Sequence, residues 1–157
     1  MSFRPMRRFR QQLSDEECIA ILQEEKRGVL ALFGDDGYPY AVPLNFVYDK
    51  GKLYFHCAPA GHKIDAIRRS DKVSFCVTNR GEKPDDDWAY FVKSVIVFGR
   101  ARLLTDRNEI IDKCRLLGLK YYPDAREVEE EIQKDGHRVA CIELTAEHMT
   151  GKRVHEK

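Results

Sequence analysis

Gly61-His62-Lys63 stands where the turn Ala58-Pro59-Ala60-Gly61 opens a short helix predicted from about His62 to Arg69. A helix N-terminus presents unpaired backbone N–H groups and the positive end of its dipole. With an imidazole and an ammonium added, the stretch suits a phosphate carrying about −1.5 to −2 charges. Arg68 and Arg69, further along the helix, either add to that field or face solvent. A surface loop also carries such residues, because a lone Gly-x-Lys has low specificity.

A second feature lies upstream. Pro43 interrupts the apolar run Ala41-Val42-Pro43-Leu44-Asn45-Phe46-Val47. Proline cannot donate to a sheet ladder, so the strand belongs at an edge or is bulged near residue 43. Asn45 brings a donor and an acceptor to an otherwise apolar strand. An isoalloxazine ring needs that mix of flat apolar surface and edge hydrogen bonds; a satisfied core amide is the plainer reading. His56, between Phe55 and Cys57, could donate a proton beside a redox cofactor or be a half-buried residue with one hydrogen bond.

Other chemistries have no support. The chain holds no GxSxG elbow, HExxH, Walker loop or paired Cys–His zinc spacing. Asp85-Asp86-Asp87 reads as a solvated loop, and Glu127, Glu129, Glu130 and Glu131 as the solvent face of a helix. His137, His148 and His155 share no metal-like spacing.

The elements that must position these residues follow from local signals. Ser14-Asp15-Glu16-Glu17 is a capping box, starting a helix that runs to about Lys26. Val29 to Phe33 is a short strand, and Gly34-Asp35-Asp36-Gly37 turns into a second strand through Tyr48. After Asp49-Lys50-Gly51-Lys52, Leu53 to Cys57 returns as the third, completing a meander. Lys72 to Thr78 is the next strand, and a long one runs from Trp88 to about Leu104 with a bend near Gly99. Asp106–Leu117 and Asp124–Lys134 are helical, parted by Tyr122-Pro123. His137 to Leu144 is the last strand, with His148 to Arg153 trailing from it. Short turns without βαβ alternation argue for an antiparallel barrel with peripheral helices.

Bulk composition narrows the classes. The 157 residues fit one domain, residues 1–157, with residues 1–12 as an N-terminal arm. A net charge of +1 provides no global field for nucleic acid or an anionic membrane. No apolar run approaches the roughly 20 residues of a membrane helix. The arginines of Met1–Arg10 precede no apolar stretch, so the arm is no secretory signal and reads as surface-packed or mobile, with a phosphate-binding arm as the alternative. Five cysteines without a CxxC read as reduced, mostly buried thiols of a cytoplasmic protein.

Three blocks, DGYPYAVPLNFVY at 36–48, LYFHCAPAGHKIDAIRR at 53–69 and YFVKSVIVFGRARLL at 90–104, together resemble the pyridoxamine 5′-phosphate oxidase-like FMN-binding split barrels. The likeness is strongest to the branch of the 5-nitroimidazole resistance (Nim) proteins and spans about Leu13 to Arg153. It implies an α+β, mainly β fold: a six-to-seven-stranded antiparallel split β-barrel of Greek-key type with peripheral helices. It also implies a homodimer with FMN at the subunit interface. Val42, Pro43, Leu44 and Asn45 would then line the isoalloxazine, largely through backbone, with His56 near the ring. His62 and Lys63 would hold the phosphate, Gly61 and Ile64 belonging to the same cofactor-binding set. Ser94 and Val95 would complete the pocket from the other subunit, and the tail from Thr150 to Arg153 would approach the open face. One departure counts against vitamin B6 oxidation. The oxidases themselves end in an arginine-rich signature closing with proline, whereas this chain ends Arg153-Val154-His155-Glu156-Lys157.

The resulting expectation is an FMN-dependent oxidoreductase reducing a small flat acceptor, nitroaromatic or quinone-like, with His56 as the catalytic candidate. A haem-binding split-barrel protein, ligated through His56, His62, His148 or His155, is the alternative, and a non-catalytic flavin carrier is a third.

Overall fold

The computed structural model describes residues 2–157. Helix α1 (Asp15–Glu24) starts where the sequence places it. The Ser14 hydroxyl accepts the Glu17 N–H at 3.2 Å and the Glu17 carboxylate accepts the Ser14 N–H at 2.9 Å. Seven strands follow: β1 (Arg27–Phe33), β2 (Pro39–Asn45), β3 (Val47–Asp49), β4 (Lys52–Cys57), β5 (Lys72–Thr78), β6 (Phe91–Leu103) and β7 (Ala140–His155). Helix α2 (His62–Arg69) joins β4 to β5, while α3 (Arg107–Tyr121) and α4 (Ala125–Asp135) join β6 to β7. Among the described residues no helix is long and apolar enough to cross a membrane.

All pairings are antiparallel, in the order β2-β1-β5-β6-β7-β4-β3. The two edge strands, β2 and β3, are consecutive in the chain and separated by Phe46 alone. A sheet whose opposite edges are one residue apart must curl upon itself, which makes the seven strands a half-barrel. Its interior holds Phe46, Phe55 and Phe75, packed edge to face at 4.9 and 5.0 Å.

Three expectations need correction. The run from Gly37 to Tyr48 is two strands, because Phe46 breaks it. The first strands do not form a meander, since β1–β2 and β3–β4 are hairpins at opposite edges. The last strand continues to His155, and residues 148–153 pair with Phe98 to Lys93 of β6. The bend expected near Gly99 is present as a bulge between Phe98 and Gly99. A Cβ at Gly99 would lie 2.1 Å from the Thr145 carbonyl oxygen, so only glycine permits that approach.

A second apolar cluster, including Val47, Leu104 and Leu117, packs α3 against the sheet. Within this layer lies Glu143, 1% exposed on β7. Its cross-strand neighbours supply its partners: Tyr54 donates at 3.1 Å, Arg102 at 2.8 Å, and the Lys52 ammonium lies at 3.3 Å. Burial alone would raise this carboxyl; Arg102, Tyr54 and Lys52 together hold it below its ordinary value. Such a group stabilises the fold fully above its ordinary pKa, and the stabilisation is lost as pH falls through the lower folded value. Glu143→Gln should therefore cost about 1–3 kcal/mol in urea unfolding at pH 7, and the gap from wild type should shrink below about pH 4.5. A gap that persists undiminished in acid would contradict this role.

Candidate functional site

Helix α2 begins at Gly61 with φ +140, a conformation open to glycine and strained for other residues. Its first internal bond runs from the Asp65 N–H to the Gly61 carbonyl at 3.1 Å. The N–H groups of His62, Lys63 and Ile64 thus have no helical partner, and no side chain caps them. By contrast, α1, α3 and α4 are capped by Ser14, Asp106 and Asp124. The apolar side of α2 anchors it, with Ile64, Ala66 and Ile67 buried. Ile64 can consequently offer a ligand only its backbone.

The charged residues of this turn divide. His62 stacks on Tyr40 with centroids 3.9 Å apart, and its Nε2 lies 3.7 Å from Asp35. Arg69 pairs with the same carboxylate at 2.8 Å. Both residues therefore tie α2 to the β1–β2 turn. Lys63, half-buried, has no carboxylate partner among the described residues.

Strand β2 is an edge strand whose pairing with β1 runs unbroken through Val29↔Pro43. Of the two explanations for Pro43, the edge is the one observed, without a bulge. Val42 and Leu44 lean onto the core, while Pro43 and Asn45 face outward. At Phe46 the chain leaves the ladder. The Tyr121 hydroxyl accepts the Phe46 N–H at 2.9 Å and lies 3.0 Å from the Phe46 carbonyl. The Lys120 ammonium donates to the carbonyls of Phe46 and Leu22 at 3.1 and 3.3 Å, and also to that of Glu25. Burial pushes this ammonium down to about 8.

Asn45, beside this break, lines a cavity of about 360 Å³ between the sheet and the α3–α4 pair, and His56 of β4 lines it too. Desolvation first, and then the Lys63 charge, hold the His56 imidazole below its ordinary pKa, so it is neutral at pH 7. Cys57, Cys114 and Cys141 adjoin it. Cys141 is driven up by its hydrogen bond with Cys114 and by burial, and the same bond lowers Cys114. Ser94 and Val95 do not join this group, because β6 lies three strands from β2. The Val95 side chain is fully buried in the core. Ser94 stands between Thr78 and Lys152 on neighbouring strands.

Several residues of this region went unmarked in the sequence reading, Lys120 and Tyr121 above all. Their signal was the helix-ending Lys-Tyr-Tyr-Pro, which puts long polar-tipped side chains at a helix terminus. Asp87, read as solvated, lies 3.2 Å from His155 and 3.0 Å from Lys157. Glu129 pairs with Arg115, and Glu131 lines the cavity. The N-terminal arm is surface-packed: Phe3 stacks on His148 at 4.6 Å. Among the described residues no group of three His, Cys, Asp or Glu could hold a metal ion.

The sequence profile of the family described as pyridoxamine 5′-phosphate oxidase matches residues 14–153. The chain belongs to that family. Similar solved structures include a candidate 5-nitroimidazole antibiotic resistance protein from Bacteroides thetaiotaomicron (20% identity, TM-score 0.77, covering 92% of this chain and 87% of the other). A FAD-binding protein from Mesorhizobium loti is 26% identical, with a TM-score of 0.67 and coverages of 92% and 97%. A FAD and haem binding protein from Mycobacterium smegmatis is 17% identical, with a TM-score of 0.67 and coverages of 94% and 74%. No curated protein matches the chain. The oxidase-like family and the split-barrel fold expected from the three sequence blocks are both borne out, and the likeness to the nitroimidazole resistance protein is one of fold.

The His56–Lys63 proximity can be tested without any ligand. In an NMR titration His56 should titrate below about 6.5, and Lys63→Met should move it upward by removing a like charge. An unmoved midpoint would separate the two groups.

Proposed function

We propose that this family member binds a flavin as FMN, held between two copies of the chain, and passes reducing equivalents to a small flat acceptor of nitroaromatic or quinone type. The observation that carries the reading is the uncapped N-terminus of α2. Three N–H groups lack helical partners or a side-chain cap there and Lys63, in the same turn, has no carboxylate partner among the described residues, while the longer helices α1, α3 and α4 each have a side-chain cap. A terminal phosphate fits that donor set. Membership of the family and the neighbours described as FAD-binding support a flavin, while the choice of FMN rests on the donor set alone. With one compact anion site and no second glycine-rich loop for an adenylate, FMN is favoured over FAD.

In this reading Lys63 and the N–H groups of residues 62–64 hold the phosphate, and His62 braces the turn through Tyr40 and Asp35. The outward edge at Pro43 and Asn45 meets the ring. Neutral His56 stands next to it and can donate one hydrogen bond to an acceptor. Flavin, when bound, supplies the electron transfer itself. Haem ligation would fall to His56, since the Nε2 of His62 and of His155 lies beside a carboxylate and His148 is stacked on Phe3.

The second copy follows from the outer face of the sheet. Directly paired residues share a face, and Pro43, Val29, Cys76 and Ile96 form one transverse row. Ala41, Ala31, Ser74 and Phe98 form the next. A solvent-facing sheet would alternate polar residues here; these rows are largely apolar, and a twofold-related copy is the usual cover. Ser94 and the Val95 backbone, at the edge of the same face, would complete the flavin site from that copy.

Lys63→Ala should weaken FMN by about 1.5–3 kcal/mol, roughly 10- to 100-fold, and riboflavin hardly at all. Equal losses for both ligands would remove the phosphate from this turn. Ile96→Asp should turn a sedimenting dimer into monomer with loss of flavin. A flavin-loaded wild-type monomer at micromolar concentration would refute the shared site.

A further inference from the structure

We infer that the cavity enclosed by α3, α4 and the β2–β4 edge is the acceptor pocket of this site, and that it takes small planar molecules that are neutral or cationic. The assignment of a redox partner rests on the flavin reading above; the choice of ligand charge and shape does not.

The geometry makes the pocket. At Gly118 the two helices approach so closely that a Cβ would lie 2.8 Å from Val128 Cγ1, which forms one wall. Leu117, Ile132 and Val139 extend the apolar lining, and Tyr121 and Tyr122 add aromatic faces. The volume of about 360 Å³, open to solvent on one side, suits a ligand of one or two rings, near the lower end of small-molecule sites. At one end stand Asn45 and His56, the residues placed beside the flavin ring. A molecule seated in the cavity therefore meets the redox centre and the neutral imidazole at once.

Charge decides which molecule enters. The lining contains two carboxylates, Glu131 and Asp135, and no lysine or arginine. Asp135 is paired with Arg138. Arg107 is not among the lining residues; it keeps its positive charge while donating to the carbonyls of Gly136 and Val139 at 3.0 and 2.7 Å. Glu131 has no ion pair among the described residues. The last turn of α4, at Ile132, Asp135 and Gly136, adds the negative end of a helix dipole. At the Glu131 rim an anionic ligand would meet an unpaired carboxylate and the helix-dipole end, whereas a cation or a neutral ring would not be opposed there.

The test uses 4-nitrobenzamidine, a cation at neutral pH, and 4-nitrobenzoate, two flat probes of similar size and opposite charge, in calorimetry on the full chain with and without FMN. The cation should bind at least tenfold tighter than the carboxylate. Glu131→Lys should reverse that order, and Val139→Trp, which fills the cavity, should abolish binding of both while leaving FMN affinity unchanged. Should Val139→Trp fail to fold by circular dichroism, Glu131→Lys on the exposed rim decides alone. Equal binding of the two probes, no binding of either, or an order indifferent to Glu131→Lys overturns the inference. Charge-selective binding in a protein that takes no flavin would keep the pocket and reject the flavin reading, so the two failures are distinguishable.

Discussion

The break at Phe46 is the constraint from which the rest of the structure follows. One residue separates β2 from β3, yet these strands occupy opposite edges of a seven-stranded sheet. A buried residue outside any ladder leaves its N–H and carbonyl without strand partners, a cost of about 1–3 kcal/mol for each group left unmet. Tyr121 and Lys120 meet both, and Lys120 also reaches the carbonyls at the end of α1. Three parts of the chain, α1, the β2–β3 corner and the end of α3, are thereby held at one point. The sheet closes far enough to bring Asn45 of β2 and His56 of β4 to the same cavity.

From that closure the division of labour on the two faces follows. The interior is filled by Phe46, Phe55, Phe75 and the aliphatic side chains around them. The outside of the β4–β7 edge is covered by α3, with Glu143 satisfied by the strands beside it. Among the described residues, the outer face across β2, β1, β5 and β6 keeps apolar rows without a covering element, apart from Phe3 stacked near Phe98. That uncovered face borders the strand proposed to meet the flavin, which joins the dimer and the cofactor in one account.

How much of this was legible depended on whether its cause was local. The capping box at Ser14, the turn at Gly61 and the edge character imposed by Pro43 are written in adjacent residues, and each is observed. The inward phase of Val95 was also readable, since Val95 and Val97 alternate with Ser94 and Ile96. The Phe46 break was not, because its satisfying hydroxyl comes from Tyr121, 75 positions away. The second half of β7 was hidden by Glu147 and His148, polar residues at a bulge whose partner is the distant β6. The contacts of His62 with Asp35 and Tyr40 were not legible, because those residues lie on another hairpin. The acceptor cavity needed α3 and α4 folded over the sheet before Glu131 could be distinguished from its neighbours on the helix.

The absorption spectrum of the purified protein, reconstituted with excess FMN and then dialysed, tests the central claim most directly. The account predicts two retained flavin bands and about one FMN per chain, released intact and identified by mass. A colourless protein after reconstitution, retention of FAD alone, or a single intense Soret band in their place would contradict it.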